Sequence, residues 1–442
     1  MDDLVNTVKQ HLDSIEGVTK VVVAYSGGVD SHVLLHACSI LRQQLKSLFF
    51  SAVYIDHGLH DDSVHWSEHC KKITAELGFP FHSIQVNAQD KHGDGPEQAA
   101  RVARYAALST FIDKHSVLLT AQHEDDQAET LMLQLLRGAG VDGLASMPSF
   151  NQFNAGFISR PLLRVSKQHI LHYAKNKGLK WVEDSSNYDV SYDRNFLRQE
   201  VIPLIQSRWP AFSKTTARSA SHCAEASKVL AELSKELLSD SVEHELSIQL
   251  LAGNKEETQR LMIREWLKTQ GVRLPSKKIL QQIQSMLKID SNKPTLIAWA
   301  DHQVRLFDNR LFYTPKTEQL ILHKVKWCGE VLTLPNLLGI LTRTTAVGEG
   351  IDKVLWDSST TSVRYRLGGE RIKLAKRSGS KALKKLLNEE KIFPWVRDSI
   401  PLIYLDDHLV AVANLWLDER FLAKEGEQGY VIEWDHPDWR IK

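Results

Sequence analysis

The sequence predicts an α/β fold: a doubly wound, parallel-sheet domain, then a mostly helical middle domain and a small α+β C-terminal domain. Two observations lead to this prediction. Apolar runs alternate with helical patterns through the first half of the chain, which is typical of β-α units in a parallel sheet. A length of 442 residues also exceeds one typical domain. We expect domains over residues 1–212, 213–330 and 345–442.

The first half alternates strands and helices in chain order. Its strand-like runs are short, apolar and rich in β-branched residues, as buried parallel strands are. Pro96 at a helix start and Gly78 and Gly138 after helix ends mark the boundaries. We expect strands over 18–25, 48–55, 81–86 and 116–120, and helices over 31–46, 64–77, 96–114 and 124–137.

The second half gives weaker patterns. Helical periodicity appears over 194–208 and 211–239, and the middle region to about residue 315 is mixed but mostly helical. Beyond residue 345, β-like runs over 400–404 and 409–417 accompany one basic segment over 371–391, much of which we expect to be helical.

A turn of small residues directly follows the first predicted strand. Its six residues are Ser26, Gly27, Gly28, Val29, Asp30 and Ser31. A strand, a glycine turn and a helix N-terminus together point backbone N–H groups and the helix dipole at one anion. The turn contains no Lys, so it is not a Walker A loop. It resembles the PP-loop of the ATP pyrophosphatases, which implies that it binds the pyrophosphate part of ATP.

A second polar motif opens the helix after the fourth predicted strand. Asp126 and Glu129 lie three residues apart and share one helical face. Such carboxylates can hold a divalent metal or grip an amine, although acids in a first helical turn also suit the helix dipole. The glycines of 138–143 match a dinucleotide-binding pattern, but they follow a helix, so we expect them to end it.

Charge and cysteine content restrict the function classes. The net charge of +1 hides an acidic stretch over 54–129, with thirteen acidic and six basic residues, and a basic stretch over 364–397, with eleven basic and three acidic residues. The basic stretch is expected to attract a polyanion. No apolar run is long enough to span a bilayer, the N-terminus is acidic, and four scattered cysteines form no Cys-x-x-Cys pair. We therefore expect a cytoplasmic protein.

These motifs resemble those of the tRNA(Ile)-lysidine synthases. The resemblance covers SGGVDS, DHGLH, EQAAR, the run over 120–147, RPLL, WVEDSSN, RNFLR and the basic C-terminal segment. It implies that ATP adenylates the wobble cytidine of the CAU anticodon of tRNA(Ile), with Mg²⁺ assisting. Free L-lysine then displaces AMP, and the lysidine formed changes the specificity of the tRNA from Met to Ile.

The resemblance also implies roles for individual residues. The catalytic residues would be Asp30, Asp126, Glu129 and Arg194. Asp30 would also hold Mg²⁺, and Asp126 and Glu129 would bind lysine. Arg194 would reach the phosphates. ATP would contact Ser26 to Ser31, Asp56 and His57. The expected tRNA contacts are Arg371, Lys373, Lys376, Arg377, Lys381, Lys384 and Lys385.

Some alternatives stay open. Gln122 stands where some family members carry a His, so only His123 remains a candidate for acid–base chemistry there. Arg101 and Arg104 suit either a charged helix surface or contact with phosphate or RNA.

Rival functions are a PP-loop tRNA thiolase, an amide-forming synthetase, and an RNA-binding nucleotide sensor without turnover. The sequence leaves the oligomeric state undecided, with a homodimer as one expected assembly.

Overall fold

The computed structural model describes residues 3–56, 63–87, 96–183, 188–239, 244–272, 274–289, 295–316, 324–335, 338–375 and 379–435. The chain divides into two compact units, Met1–Glu232 and Leu233–Lys442. No helix within the described ranges is long and apolar enough to cross a membrane.

The first unit alternates strands and helices, as the sequence predicts. Its elements are α1 (Asp3–Asp13), β1 (Lys20–Ala24), α2 (Val29–Gln44), β2 (Phe49–Asp56), α3 (Ser63–Glu76), β3 (Phe81–Gln85), α4 (Pro96–Ser109), β4 (Ser116–Leu119), α5 (Glu124–Leu136), α6 (Val141–Leu144), β5 (Phe150–Phe153), β6 (Gly156–Ser159), α7 (Lys167–Asn176), α8 (Asp193–Phe196), the π-helical turn Leu197–Val201, α9 (Ile202–Arg208) and α10 (Phe212–Leu237).

The strands of this unit form one six-stranded sheet in the order β3-β2-β1-β4-β6-β5. All neighbours are parallel except the β5–β6 hairpin. Both faces of β1 are buried: Val21 and Val23 pack in one core with Leu34, and Val22 packs in a second core with Leu108. A sheet covered by helices on both faces confirms the doubly wound fold.

The sequence reading missed α1, the short helix α6 and the β5–β6 hairpin of this unit. β5 lies at the edge of the sheet, and three of its four residues are exposed, so it shows no apolar run. α1 buries Leu4, Val8 and Leu12 along one face. The helix expected to end at Gly138 does end there, with that glycine at a φ of +70°.

The second unit combines short helices with small antiparallel sheets. Its elements are β7 (Glu245–Ser247), α11 (Ile248–Ala252), α12 (Glu256–Thr269), α13 (Lys277–Ser285), the 3-10 turn Met286–Lys288, β8 (Thr295–Trp299), β9 (His302–Phe307), β10 (Arg310–Pro315), β11 (Val325–Lys326), β12 (Val331–Thr333), β13 (Ile340–Val347), β14 (Ile351–Asp352), α14 (Lys353–Ser358), β15 (Thr361–Arg364), β16 (Arg371–Ile372), β17 (Lys381–Ala382), α15 (Leu383–Glu389), β18 (Leu402–Leu405), β19 (His408–Val412), β20 (Trp416–Leu417), the 3-10 turn Glu419–Phe421 and β21 (Gln428–Asp435).

Two hydrophobic cores organise the second unit. The first lies among α11, α12, α13 and the sheet β7-β10-β9-β8, and Trp266 is its largest fully buried side chain. The second lies among the sheets β11-β15-β18-β19-β20 and β12-β13-β21-β14. Strands from residue 325 onward therefore pair with strands near the C-terminus, such as β13 with β21.

The basic segment is less helical than expected. Among the described residues of this segment, only Leu383–Glu389 is helical, because Arg371–Ile372 pairs with Lys381–Ala382 as a short antiparallel ladder. Gly379, in the connection between these strands, has a φ of +72°. A glycine in this left-handed region is a turn residue and interrupts a helix.

Candidate active site

Several of the predicted site residues meet at the carboxyl ends of the strands of the first-unit sheet. β1 and β4 are adjacent and parallel, so the turns that follow them leave the sheet side by side. In doubly wound sheets the ligand site lies at the carboxyl ends of strands, where the chain crosses over to opposite sides. Here β2 lies on one side of β1 and β4 on the other. This arrangement brings the glycine turn and the start of α5 together.

The glycine turn adopts a conformation that few other residues could take. Gly27 has a φ of +84°, and a Cβ added there would lie 3.0 Å from Cys70 Sγ. Gly28 is the N-cap residue of α2, so the helix begins directly after the glycine pair. Both backbone strain and lack of space therefore require glycine at position 27.

Hydrogen bonds hold the turn from two sides. The Ser31 hydroxyl accepts from the Ser26 amide at 3.2 Å and donates to the Gly28 carbonyl at 3.0 Å. The Val182 amide donates to the Gly27 carbonyl at 3.0 Å. No hydrogen bond between described residues uses the amides of Gly27 and Gly28. Unused amides beside a helix N-terminus are the groups that bind a phosphate.

Three acidic and three basic side chains lie next to this turn. We call this set the charged cluster; its members are Asp30, Asp126, Glu129, Lys167, Arg194 and Arg198. Each acid contacts at least one base: Lys167 Nζ lies 2.7 Å from Asp30 Oδ1, and Arg194 Nη2 lies 3.1 Å from Asp126 Oδ1. The formal charges of the six side chains sum to zero. A charged ligand can therefore bind to the cluster only if some of these ion pairs separate.

Glu129 is the most deeply buried member of the charged cluster, with 1% of its side chain exposed. It accepts from Arg194 Nε at 2.7 Å, from Arg198 Nε at 2.6 Å and from Arg198 Nη2 at 2.8 Å. Both carboxylate oxygens are therefore used. Burial opposes the charge of each arginine, but Asp126 and Glu129 outweigh burial and raise the pKa of both guanidinium groups.

Asp126 is more accessible, with 14% of its side chain exposed. Burial alone would raise its pKa, but His123, Arg194 and Arg198 outweigh burial and lower it. The carboxylate therefore stays ionised at neutral pH. Of the two carboxylates on this helical face, Asp126 is the one that can reach a ligand.

His123 connects the turn after β4 to both nearby aspartates. It is the N-cap residue of α5, and its Nδ1 accepts from the Asp125 amide at 3.2 Å. Its Nε2 lies 3.5 Å from Asp126 Oδ2 and 3.7 Å from Asp30 Oδ1. The imidazole is thus placed between the glycine turn and α5, with its Nε2 side directed at carboxylates.

Two consecutive helical elements carry the arginines: α8 carries Arg194, and the π-helical turn after it carries Arg198. The turn covers Leu197–Val201, directly after α8, and includes Arg198. π-Helical turns are rare and occur often at functional sites. Here both guanidinium groups converge on Glu129.

The remaining predicted residues fall in several places. Asp56 is the last residue of β2, and its carbonyl accepts from the Val86 amide, whereas His57 lies outside the described residues. Gln122 has a buried Oε1 without a partner among the described residues.

Sequence reasoning missed Lys167 and Arg198. RNFLR contains Arg198 and could have indicated it, but no local signal pointed to Lys167.

The predicted tRNA contacts are only partly free. Lys373 pairs with Glu419 at 2.6 Å and Lys381 pairs with Glu389 at 3.0 Å. The side chains of Arg371, Lys384 and Lys385 are exposed, the last two on α15. Lys376 and Arg377 lie outside the described residues.

Strand, glycine turn, helix and adjacent carboxylates define a PP-loop domain of the ATP pyrophosphatase class. A sequence profile of the PP-loop domain matches residues 2–205. Profiles of the TilS substrate binding domain and the TilS substrate C-terminal domain match residues 246–312 and 361–434.

Three curated relatives extend the likeness to nearly the whole chain, and each is named tRNA(Ile)-lysidine synthase. The relative from Methylococcus capsulatus is 38% identical over 93% of this chain and 95% of its own length. Those from Coxiella burnetii and Proteus mirabilis are 39% and 38% identical over 94% and 98% of this chain, and 93% and 98% of their own lengths. The chain belongs to the tRNA(Ile)-lysidine synthase family, which confirms the resemblance seen in the motifs.

Proposed function

We propose that this protein joins free L-lysine to the wobble cytidine of the CAU anticodon of tRNA(Ile), with ATP converted to AMP and pyrophosphate. One observation carries the proposal: a PP-loop and a carboxylate–arginine cluster meet at adjacent strand ends in a chain of the lysidine synthase family. The lysidine formed changes both the codon and the amino-acid specificity of the tRNA from Met to Ile.

In the first step the turn binds the phosphates of ATP. The amides of Gly27 and Gly28 and the dipole of α2 would receive the pyrophosphate while negative charge builds on it. The Ser26 and Ser31 hydroxyls, 3.1 Å apart, and the backbone of Val29 complete the turn.

Asp30, Asp56 and His57 complete the proposed ATP site. Asp56, the last residue of β2, and His57, the next residue in the sequence, would border the adenosine. The Asp30 carboxylate fits Mg²⁺, which proteins commonly hold with one or two carboxylates together with substrate phosphates. When bound, the ion would neutralise the leaving pyrophosphate. No group of three or more metal-binding side chains occurs within the described ranges.

The arginines give the charged cluster a second use. Arg194 and Arg198 can exchange their Nη2 contacts with Asp126 for the phosphates of ATP while their Nε atoms stay bonded to Glu129, because a guanidinium group suits both kinds of oxygen. Asp126 then has a free carboxylate at the site. We propose that it binds an ammonium group of lysine and that the buried Glu129 acts through the two arginines.

Attack by lysine requires a neutral amine. The ε-amine has an ordinary pKa of about 10.4, so nearly all of it is protonated at neutral pH. A nearby proton acceptor is therefore needed. His123 Nδ1 accepts from the Asp125 amide, so Nε2 carries the hydrogen of the neutral ring, and it lies 3.7 Å from Asp30 and 3.5 Å from Asp126. We propose that His123 positions Asp126 and that the Asp126 carboxylate receives this proton from the lysine it binds.

The basic C-terminal segment supplies the proposed tRNA contacts, from Arg371 and Lys373 through Lys376, Arg377 and Lys381 to Lys384 and Lys385. We retain domain bounds of 1–212, 213–330 and 345–442, with the last domain binding tRNA. We also propose that the protein works in the cytoplasm, where ATP, free lysine and tRNA occur together. The homodimer stays a prediction.

The nearest rival chemistry is sulfur transfer by a PP-loop thiolase. All four cysteines are unpaired. Cys70 is the one beside the glycine turn, and burial raises its pKa to about 12. A thiol in this state is a poor nucleophile. This observation favours ligation of an amine over transfer of sulfur.

Exchange of labelled pyrophosphate into ATP tests the first step. We expect exchange with the wild-type protein only when a tRNA(Ile) transcript with a CAU anticodon is present, and none with Asp30→Ala. A tRNA(Ile) transcript with a changed wobble base is the matched control. Exchange in the absence of any tRNA would contradict adenylation of the tRNA.

A further inference from the structure

A lysine far away in sequence contacts the aspartate of the glycine turn. Lys167 Nζ donates to Asp30 Oδ1 at 2.7 Å and to Asp30 Oδ2 at 2.8 Å. The two residues are 137 positions apart. About a third of each side chain is exposed, 32% for Lys167 and 30% for Asp30. The pair therefore lies at the surface of the site, where a ligand can reach it.

The position of Lys167 is electrostatically unfavourable for its own helix. It is the first residue of α7, directly after the N-cap Ser166, and the first turn of α7 contains no acidic residue. The N-terminus of a helix carries partial positive charge, which disfavours a cation there. Lys167 therefore adds to the positive potential at the glycine turn without stabilising α7.

The glycine turn itself lacks a cation. Asp30 is the only charged residue among Ser26–Ser31, and its charge has the same sign as that of the phosphates. An ammonium group has three donors, and Asp30 uses two of those of Lys167. The third donor is available to a phosphate oxygen, and full contact with the phosphates requires the pair with Asp30 to separate.

We propose that Lys167 is the phosphate-binding cation of this PP-loop. Without nucleotide it neutralises Asp30. When ATP binds, its ammonium group turns to the β- and γ-phosphate oxygens and frees the Asp30 carboxylate for Mg²⁺. The inference deepens the proposed function and rests on it, because it assigns a further residue to the same ATP site.

Binding of ATP in EDTA tests this assignment without any turnover. With the divalent cation removed, the contribution of Lys167 to phosphate binding is measured directly. We expect Lys167→Met to weaken ATP binding in EDTA by about tenfold to a hundredfold, the usual size of one charge-assisted hydrogen bond. Lys167→Arg should retain most of the affinity. Lys175→Met, an exposed change on the same helix, is the matched control and should bind like the wild type.

The variant Asp30→Asn should change ATP affinity in the opposite direction. This second test remains valid even if the Lys167→Met protein does not fold. Without the Asp30 charge the ammonium group is released, so ATP should bind more tightly in EDTA, by up to about tenfold. The double variant Asp30→Asn/Lys167→Met should lose this gain.

Two negative results have different meanings. Equal ATP affinity of the wild type and Lys167→Met in EDTA, or an Asp30→Asn gain that survives in the double variant, would overturn the role of Lys167 and leave the PP-loop assignment intact. Failure of the wild type to bind ATP even with Mg²⁺ would overturn the proposed function as well.

Discussion

Glu129 offers the sharpest stability prediction because its carboxylate is almost fully buried between two arginines. The change Glu129→Gln keeps the shape of the side chain and removes its charge. It leaves Arg194 and Arg198 with one shared partner, Asp126, at 3.1 and 3.3 Å. The amide nitrogen of Gln also points hydrogen atoms at a guanidinium group where an acceptor is needed.

The expected cost follows from the contacts. Glu129 accepts three hydrogen bonds of 2.6 to 2.8 Å from charged donors. Removing one member of a buried ion pair costs about 3–5 kcal/mol, because the remaining charge stays buried without compensation. This is a large share of the roughly 5–15 kcal/mol that stabilises a typical domain. We therefore expect Glu129→Gln to lower the free energy of unfolding by about 3–5 kcal/mol.

Urea unfolding followed by circular dichroism measures this difference. Asp125→Asn is the matched control, because Asp125 lies on the same helix, one turn before Glu129, and forms no ion pair among the described residues. The double variant Glu129→Gln/Arg198→Met should be less destabilised than the sum of the single changes. A Glu129→Gln protein within about 1 kcal/mol of the control, the size of an exposed ion pair, would refute the account of a buried, fully engaged carboxylate.

Three further outcomes are expected. Asp126→Ala should damage the lysine-dependent step far more than ATP binding; normal use of lysine would remove its assigned role. Changing Lys384 and Lys385 to Ala should weaken tRNA binding, leave ATP affinity unchanged and reduce the slope of log affinity against log salt by about 1.4; an equal loss of ATP affinity would contradict the assignment. Burial, with lesser effects of nearby histidines, lowers the pKa of His32 to about 4. As the pH falls below about 6.5, His32 becomes protonated in the unfolded chain but stays neutral in the folded protein. The free energy of unfolding should therefore fall by roughly 2 kcal/mol between pH 8 and pH 5. His32→Gln should remove that fall in urea unfolding, and an unchanged pH dependence would show that His32 is not held neutral.

The parallel sheet could be predicted because the residues of its central strands form short apolar runs that are visible in the sequence. β1, β2 and β4 are apolar on both faces, and the glycines and prolines between elements mark their ends. β5 could not be predicted, since an exposed edge strand needs no apolar pattern. The basic segment was wrongly expected to be mostly helical because charge periodicity does not reveal the pairing of Arg371–Ile372 with Lys381–Ala382.

The site was predictable only where one motif carries the chemistry. The glycine turn and the acids of α5 appear as contiguous residues, and the sheet order then explains why they meet. The partners of those acids come from distant segments: Lys167 reaches Asp30 across 137 residues, and Arg198 reaches Glu129 across 69. Such pairs arise from packing of the whole unit. The sequence alone therefore did not reveal the arginine partners of Asp126 and Glu129.

Incorporation of lysine into tRNA tests the central claim most directly. The protein is incubated with labelled L-lysine, ATP and a tRNA(Ile) transcript with a CAU anticodon, and the RNA is digested to nucleosides. We predict one labelled nucleoside, derived from the wobble cytidine, formed in equal amount with AMP and pyrophosphate. Release of pyrophosphate without labelled nucleoside, or label at any other position, would contradict the account.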